Sequence, residues 1–281
     1  MTLSHFWRAA QDPERVMQID ISHWQGNDQH HRTELVTVEE PLEIRINGQS
    51  LAIVMRTPGH DAELAMGFLF SEGVIHDAAQ VLRIENALDE DGLPLVNVLN
   101  IQLSQLSSNG HPGFERHFAV SSSCGLCGKQ SISDLLLATS PLEPDALQLP
   151  IALFYTLADR LREQQTVFTA TGGLHAAGLF GLNGELQLVR EDIGRHNAVD
   201  KLVGYGLLQH IQPYREHILL VSGRTSFEIL QKALLARIPC VVAISAPSSL
   251  AIELAEKSGI TLLGFLRERS LNVYTHPERL I

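Results

Sequence analysis

Two short apolar runs, Ile218-Leu219-Leu220-Val221 and Cys240-Val241-Val242-Ala243-Ile244, decide the fold of this chain. Neither run alternates with polar residues, and such unbroken runs are typical of strands buried on both faces of a sheet. Helical patterns follow the runs, at residues 227–237 and 249–258, and a further strand is predicted at residues 260–265. The sequence therefore predicts an α/β domain in which helices are layered on a partly parallel sheet.

The same domain extends back to about residue 148, and we expect it to continue to residue 281. Its remaining elements follow from apolar periodicity and from turn signals such as Asn183-Gly184. They are a helix at 150–162, strands at 166–171, 175–180 and 185–189, a helix from Gly194, and a last strand at 272–275.

Residues 41–147 predict a smaller α+β subdomain with the cysteine loop, and residues 1–40 predict a polar N-terminal segment that is loosely held at its start. Strand patterns at 42–46 and 51–55 flank the hairpin signal Asn47-Gly48. The other expected elements are a helix capped by Asp61 that ends between Phe70 and Gly73, and a strand at 93–103.

Composition and charge exclude several classes of protein. The net charge of -11 argues against a nucleic-acid binder, and no apolar run reaches the roughly 18–20 residues that a membrane helix needs. The first eight residues lack the apolar core of a secretion signal. Three cysteines in 281 residues make a poor disulfide framework, so we expect a cytoplasmic protein.

A loop at residues 121–129, Ser-Ser-Ser-Cys-Gly-Leu-Cys-Gly-Lys, holds two of the three cysteines, Cys124 and Cys127. Small neighbours leave their sulfur atoms accessible. Lys129 and the start of a helix predicted at residues 130–139 would both favour a thiolate. The pattern indicates a cysteine pair that reacts or binds a ligand.

Three chemistries fit such a pair, and the residues alone do not choose among them. A zinc site needs about four ligands, and this pair supplies two. A thioredoxin-type dithiol fits the spacing, although three serines precede the pair. A sulfur carrier would use one thiolate to hold a persulfide, and a second thiol could release the sulfur by forming a disulfide. Cys240, inside an apolar strand, is expected to be an inert core thiol.

Three clusters of small, polar and basic residues follow predicted strands, at residues 190–197, 222–226 and 245–249. Strand ends in open α/β sheets gather ligands, and helix starts bind anions. We therefore expect a phosphorylated or nucleotide-like ligand, with simple helix capping as the alternative at each cluster. His175 could line such a site or cap a turn.

The chain from about residue 40 onward resembles the FdhD family, the sulfur carriers required for formate dehydrogenase activity. Six segments in the same order carry the resemblance. They are Gly67-Phe-Leu-Phe-Ser-Glu-Gly73, Cys124-Gly-Leu-Cys-Gly128, Thr171-Gly-Gly-Leu-His-Ala-Ala177, Glu191-Asp-Ile-Gly-Arg-His-Asn-Ala-Val-Asp-Lys201, Ser222-Gly-Arg224 with Glu228, and Asn272-Val-Tyr-Thr-His-Pro277.

The resemblance implies a concrete activity. Members of the family take sulfur from a cysteine desulfurase and pass it to the molybdenum (or tungsten) bis(molybdopterin guanine dinucleotide) cofactor of formate dehydrogenase. The persulfide-bearing cysteine corresponds to Cys124, and Cys127 assists it. The family's cofactor-binding stretch corresponds to Phe265, Leu266, Arg267, Glu268, Arg269 and Ser270, although Glu268 and Ser270 depart from its common pattern.

The family also implies a three-layer, mixed-sheet domain similar to cytidine deaminases, an N-terminal α+β subdomain, and a homodimer. The deaminase zinc signature is absent, so we expect no metal site. We expect the guanine nucleotide to be held by basic and polar residues at the strand ends, namely Arg195, His196, Lys201, Ser222 and Arg224. The alternatives are a chaperone that only binds the cofactor or the apo-enzyme, and a zinc-dependent hydrolase.

Overall fold

The computed structural model describes residues 15–104, 118–119 and 140–281, and thirteen strands run through these parts of the chain. They are β1 (Val16–Gln25), β2 (Asp28–Thr37), β3 (Glu40–Ile46), β4 (Gln49–Arg56), β5 (Val81–Leu88), β6 (Pro94–Leu103), β7 (Phe118–Ala119), β8 (His175–Gly181), β9 (Leu186–Asp192), β10 (His217–Val221), β11 (Cys240–Ala243), β12 (Thr261–Arg267) and β13 (Ser270–Thr275).

The α-helices in the described parts of the chain are short or of medium length, and none is long and apolar enough to cross a membrane. They are α1 (Asp61–Ser71), α2 (Ile151–Phe154), α3 (Leu157–Gln164), α4 (Thr166–Thr171), α5 (Arg195–Leu208), α6 (Phe227–Leu235) and α7 (Ser249–Ser258). Single 3₁₀ turns stand at Ala78–Gln80 and Pro277–Arg279.

A six-stranded mixed sheet with the order β13-β12-β11-β10-β8-β9 forms the centre of the larger domain. Strands β10, β11 and β12 are parallel, whereas β8, β9 and β13 pair antiparallel with their neighbours. Leu219 and Val221 pack into the cluster that contains α5, α6 and α7, whereas Ile218 and Leu220 pack against α2 and α3. Helices therefore cover both faces of the sheet, and the prediction of an α/β fold is confirmed.

A second, five-stranded sheet with the order β5-β6-β3-β4-β7 comes from residues 40–119. Its buried face contributes Leu42, Ile44 and Ile46 to the cluster that also contains α1 and α5. One hydrophobic core thus joins this sheet to the six-stranded sheet. The predicted domain boundary between residues 147 and 148 stays a prediction.

Helices α1 and α5 touch along their backbones, and two glycines make this possible. A Cβ atom on Gly67 of α1 would overlap with the carbonyl oxygen of Asp200, and one on Gly204 of α5 would overlap with that of Glu63. Because a glycine has no side chain, the two helices can approach more closely than any other residue at these positions would allow. This contact holds the five-stranded sheet against the larger domain.

Residues 166–171 form helix α4 and not the predicted strand. The β-branched residues at 166, 167, 169 and 171 suggested a strand, but the carboxylate of Glu191 accepts hydrogen bonds from the backbone N–H groups of Val167 and Phe168, at 3.2 and 2.9 Å. Those N–H groups belong to the first turn of a helix, where they have no partner within the helix. A contact from a distant strand therefore outweighs the local β propensity.

The N-terminal segment contains regular structure, and two other expectations about the secondary structure were wrong. Residues 16–37 of this segment form the antiparallel ribbon β1–β2, and Thr37 bonds Thr171 through their hydroxyl groups at 2.8 Å. The helix expected at 150–162 is broken into α2 and α3. Asp61 does not cap α1, because its carboxylate binds Arg56 at 3.0 and 2.9 Å.

Gly67→Ala should lower the free energy of unfolding by at least about 3 kcal/mol, because the added methyl group meets rigid backbone of α5. Gly73→Ala is the matched control. Its φ of 73° strains any other residue, but the methyl group meets nothing within 4 Å, so a loss of about 1 kcal/mol is expected. Urea unfolding of both variants measures the difference, and equal losses would contradict the proposed clash.

Candidate functional site

The three predicted polar clusters meet at one edge of the six-stranded sheet. Strands β9, β10, β11 and β12 all point the same way, so their C-terminal ends share this edge with the start of β8. His175 at the start of β8 pairs directly with Asp192 at the end of β9. The expectation that these strand ends come together is therefore confirmed.

An open pocket of about 260 Å³ lies beside this edge, between the two sheets. Its walls come from the end of α1, the first turn of α5, one face of α6 and residues 54–55 of β4. Both cations and carboxylates line it. They are Arg195, Lys232, Glu39, Glu72, Asp200 and Glu228, together with His175 and His196. The pocket is thus of mixed charge and is not a purely cationic phosphate site.

Arg195 stands at the open N-terminus of α5. The residue before the helix, Gly194, offers no side chain to cap it. The Nε atom of Arg195 is buried and has no hydrogen-bond partner among the described residues. Gly223, from the loop after β10, leaves room for Arg195 and His175, since a Cβ there would stand 3.6 and 3.3 Å from them. An unpaired guanidinium N–H group beside a helix N-terminus is suited to an anion.

The two histidines of the pocket are held in the neutral form. Burial lowers the pKa of His196 from 6.5 to about 4, and the nearby positive charge of Arg195 is the second cause of this shift. Burial also lowers the pKa of His175. The Nε2 atom of His196 lies 3.1 Å from the hydroxyl group of Ser226 and 3.8 Å from the carboxylate of Glu228. A neutral imidazole can accept a hydrogen bond, but a pKa this far below that of a thiol makes His196 a poor acceptor of a thiol proton.

Lys232 is a pocket residue that the sequence reasoning missed. Its ammonium group binds Asp200 at 2.6 Å, and the same carboxylate oxygen accepts a hydrogen bond from the hydroxyl group of Ser71 at 2.9 Å. Burial raises the pKa of Asp200. The spacing of Lys232 four residues after Glu228 places both on one face of α6, and this signal could have identified it.

Lys201 does not belong to the pocket, contrary to the expectation. Its side chain is fully buried, and its ammonium group lies 2.7 Å from Asp192 and 2.9 Å from the carbonyl oxygen of Thr57. Burial lowers its pKa, which the charge of Asp192 opposes. With both partners inside the protein, Lys201 joins α5 to the loop after β4 and has no surface to offer a ligand.

The loops after β10 and β11 are bonded to each other. The N–H group of Thr225 donates to Ala246, and that of Ser248 donates to Thr225, at 3.2 and 3.0 Å. Ser248 caps α7 through its own hydroxyl group. The capping explanation therefore holds for the 245–249 cluster, and these groups are not free for an anion.

Two predicted site residues lie in the loop after β10. The hydroxyl group of Ser222 accepts a hydrogen bond from the N–H group of Ala176 at 2.9 Å, so it holds β8 in place. Arg224 is exposed at the same edge of the sheet, outside the pocket.

The predicted cofactor-binding stretch, residues 265–270, forms the end of β12 and the turn into β13. Leu266 is only 1% exposed and belongs to the core, whereas Phe265 is 42% exposed and has a φ of 52°. Arg267 donates to the carbonyl oxygen of Ile244 at 2.5 Å. Glu268, Arg269 and Ser270 are exposed. The stretch shares the edge with Arg224 but lies two strands, or about 10 Å, from β10.

Cys124 and Cys127 lie outside the described residues. The strand that precedes them, β7, is described, and its backbone pairs in parallel with β4, with Ala119 opposite Ile53. Residues 54 and 55, which follow Ile53, line the pocket. Among the described residues, no group of three or more His, Cys, Asp or Glu side chains could hold a metal ion. Cys240 is buried, and burial raises the pKa of its thiol to about 12.

Comparison with known proteins gives consistent results. The model of the FdhD/NarQ family matches residues 37–281. Proteins called sulfur carrier protein FdhD are similar to this chain. The one from Mycolicibacterium paratuberculosis is 46% identical, over 92% of this chain and 97% of the relative. The one from Saccharolobus solfataricus is 43% identical, over 95% of this chain and 98% of the relative.

A solved structure is also similar. It is that of a protein described as a formate dehydrogenase accessory protein from Desulfotalea psychrophila. The TM-score is 0.74 at 25% sequence identity, and the match covers 95% of this chain and 100% of that chain.

The buried, neutral state of His196 predicts a specific pH dependence of stability. The imidazole titrates at about 4 in the folded protein and near 6.5 in the unfolded chain. Between these values the unfolded chain binds more protons, so stability falls as the pH is lowered through this window. His196→Gln removes this loss, and its Tm should fall less than that of the parent protein between pH 6.5 and pH 4. Calorimetry tests this, with His31→Gln on the exposed ribbon as control; parallel curves for all three proteins would contradict the assignment.

Proposed function

Because this chain belongs to the FdhD/NarQ family, we propose that it is a sulfur carrier in formate dehydrogenase maturation. We propose further that it receives sulfur from a cysteine desulfurase. The acceptor is the molybdenum bis(molybdopterin guanine dinucleotide) cofactor, which is bound as a substrate. The thiol chemistry needs a reducing compartment, which favours the cytoplasm. A homodimer remains part of the proposal on the strength of the resemblance alone.

The register of β7 is the structural observation that supports this function best. Ala119 pairs with Ile53, and the two residues after Ile53 line the pocket. Cys124 follows Ala119 by five residues, and five residues span at most about 18 Å. The cysteine pair is therefore within chain reach of the pocket that Arg195 and His196 line.

The proposed transfer has two steps. The Cys124 thiolate attacks the outer sulfur of the donor's persulfide, so that a new S–S bond forms and the donor's bond breaks with its electron pair on the donor thiolate. The Cys127 thiolate then attacks the Sγ atom of Cys124, which gives a disulfide and releases the outer sulfur as sulfide for the cofactor. The two cysteines are oxidised as the outer sulfur is reduced, and a thiol reductant restores the pair.

The exposed arginines along the sheet edge support a nucleotide-bearing acceptor. Arg224 lies in the loop after β10. Arg267 and Arg269 lie at the end of β12 and in the turn after it, two strands away at the same edge of the sheet. Guanidinium groups form charge-assisted hydrogen bonds with phosphate oxygens. The strand ends that carry them are about 10 Å apart, a spacing that suits an extended dinucleotide better than a single phosphate.

Incubation with a cysteine desulfurase and cysteine should add the mass of one sulfur atom to the parent protein. Cys124→Ala should gain none, because the attacking thiolate is gone. Cys127→Ala should gain sulfur but release less of it as sulfide when dithiothreitol is withheld. Intact-mass measurement checks all three proteins. Full activation of formate dehydrogenase by Cys124→Ala would favour a chaperone that only binds the cofactor.

Arg224→Ala should weaken the binding of guanosine diphosphate about tenfold, the effect expected from the loss of one charge-assisted hydrogen bond. Arg83→Ala is a control of the same charge change on the exposed strand β5, and it should bind the nucleotide as the parent does. Calorimetric titration measures both affinities. Unchanged binding by Arg224→Ala would remove this residue from the site.

A further inference from the structure

The hairpin of β5 and β6 carries large apolar side chains that face solvent. Leu88 and Leu93 are each 62% exposed and Val96 is 74% exposed, and all three lie at or next to the turn between the strands. Ile53 on β4 is 50% exposed. Exposed apolar groups that cluster on one part of a surface usually mark an interaction site. Ile53 lies two strands from β6, with Glu43 of β3 between them. We propose that this surface, called the tip surface here and defined by Leu88, Leu93, Val96 and Ile53, is where the protein that donates the persulfide docks.

The tip surface lies at the end of the five-stranded sheet where β7, the strand that precedes Cys124 in the sequence, also ends. Strand β6 runs parallel to β3, β3 runs antiparallel to β4, and β4 runs parallel to β7. The start of β6 and the end of β7 are therefore at the same end of the sheet. Strand β7 thus ends, five residues before Cys124, at the end of the sheet where the β5–β6 turn stands.

The register of the strands sets the distances. Val98, Glu43, Ile53 and Ala119 lie side by side across β6, β3, β4 and β7. Val96, two residues from Val98, is on the same face as Ile53. Three strand spacings, about 14 Å, separate β6 from β7. A donor of ordinary interface size can therefore cover the tip surface and reach the cysteine loop at once.

The β5–β6 turn is preorganised for contact. The carboxylate of Asp89 accepts hydrogen bonds from the N–H groups of Asp91 and Leu93, at 3.0 and 2.8 Å. The side chain of Asn86 donates to the carbonyl oxygens of Leu95 and Val96, at 3.0 and 3.2 Å. A rigid loop loses little conformational entropy when it binds, so its apolar groups contribute more fully to affinity.

Charge selects the kind of partner. Asp89, Glu90 and Asp91 stand in the turn beside the apolar side chains, and the whole chain carries a net charge of -11. A second copy of the chain would bring the same acidic residues to a symmetric contact, and like charges there are unfavourable. The partner is therefore a protein with an apolar patch bordered by Lys and Arg. The assignment of that partner as the persulfide donor rests on the proposed function.

The test uses a purified cysteine desulfurase as the probe and a double variant, L93E/V96E, of the full chain. Both side chains are exposed, so the fold should be retained. Leu82→Glu is the matched control, because Leu82 is 63% exposed on the same hairpin but lies at the opposite end of the sheet. Glutathione persulfide serves as a small donor that needs no docking surface. Biolayer interferometry gives the Kd, and intact mass gives the rate of sulfur gain.

We expect the Kd of L93E/V96E for the desulfurase to be at least tenfold higher than that of the parent, and its rate of sulfur gain from the desulfurase to be at least tenfold lower. Its rate of sulfur gain from glutathione persulfide should be unchanged. Leu82→Glu should behave as the parent does. E90K/D91K should weaken desulfurase binding several-fold and reduce its salt dependence. Asp89 is left unchanged in this variant because its carboxylate accepts the hydrogen bonds that hold the turn.

Three results would overturn or separate the claims. Unchanged desulfurase affinity in L93E/V96E would remove the tip surface as a docking site. A change from dimer to monomer in sedimentation of the same variant would show that the surface joins two copies of the chain instead. A parent protein that takes no sulfur from either donor would refute the proposed function, and the Kd values would still report on docking.

Discussion

The backbone contact between α1 and α5 is the constraint on which the rest of the structure depends. Gly67 and Gly204 allow each helix to meet the other's carbonyl groups directly. Because α1 belongs to the part built around the five-stranded sheet and α5 packs on the six-stranded sheet, this contact sets the distance between the two sheets. The pocket lies between them, and both helices supply its walls.

Buried ion pairs fix the orientation of the helices at that contact. Lys201 joins α5 to Asp192 and to the loop after β4. Lys232 joins α6 to Asp200 of α5, and the same carboxylate accepts a hydrogen bond from Ser71 of α1. Each pair costs desolvation, so its net contribution to stability is small, but the loss of one partner would leave a buried charge. The pairs therefore act chiefly by fixing how the helices are oriented around the pocket.

Two features of the five-stranded sheet lie at one end of it: the end of β7, which precedes the cysteine loop in the sequence, and the apolar turn of the β5–β6 hairpin. The edge of the six-stranded sheet with Arg224 and residues 265–270 is a separate surface, and the pocket lies beside it. In the proposed function the donor and the acceptor of sulfur are different molecules. Separate surfaces would let each be recognised by its own chemistry.

The sequence by itself determined the α/β class, most strand positions and the gathering of polar clusters at one sheet edge, because unbroken apolar runs and turn signals are local properties. It could not show that residues 166–171 are helical, since the carboxylate that starts that helix comes from Glu191. Nor could it show which of two lysines, Lys201 or Lys232, lines the pocket.

Lys201 pairs with Asp192 away from the pocket, whereas Lys232 pairs with Asp200 in the pocket wall. Only the tertiary structure decides which lysine lines the pocket, because the partner of each ammonium group and the walls around it come from other elements of the fold. The glycines at 67 and 204 follow the same rule, since their importance lies in what the opposite helix places against them.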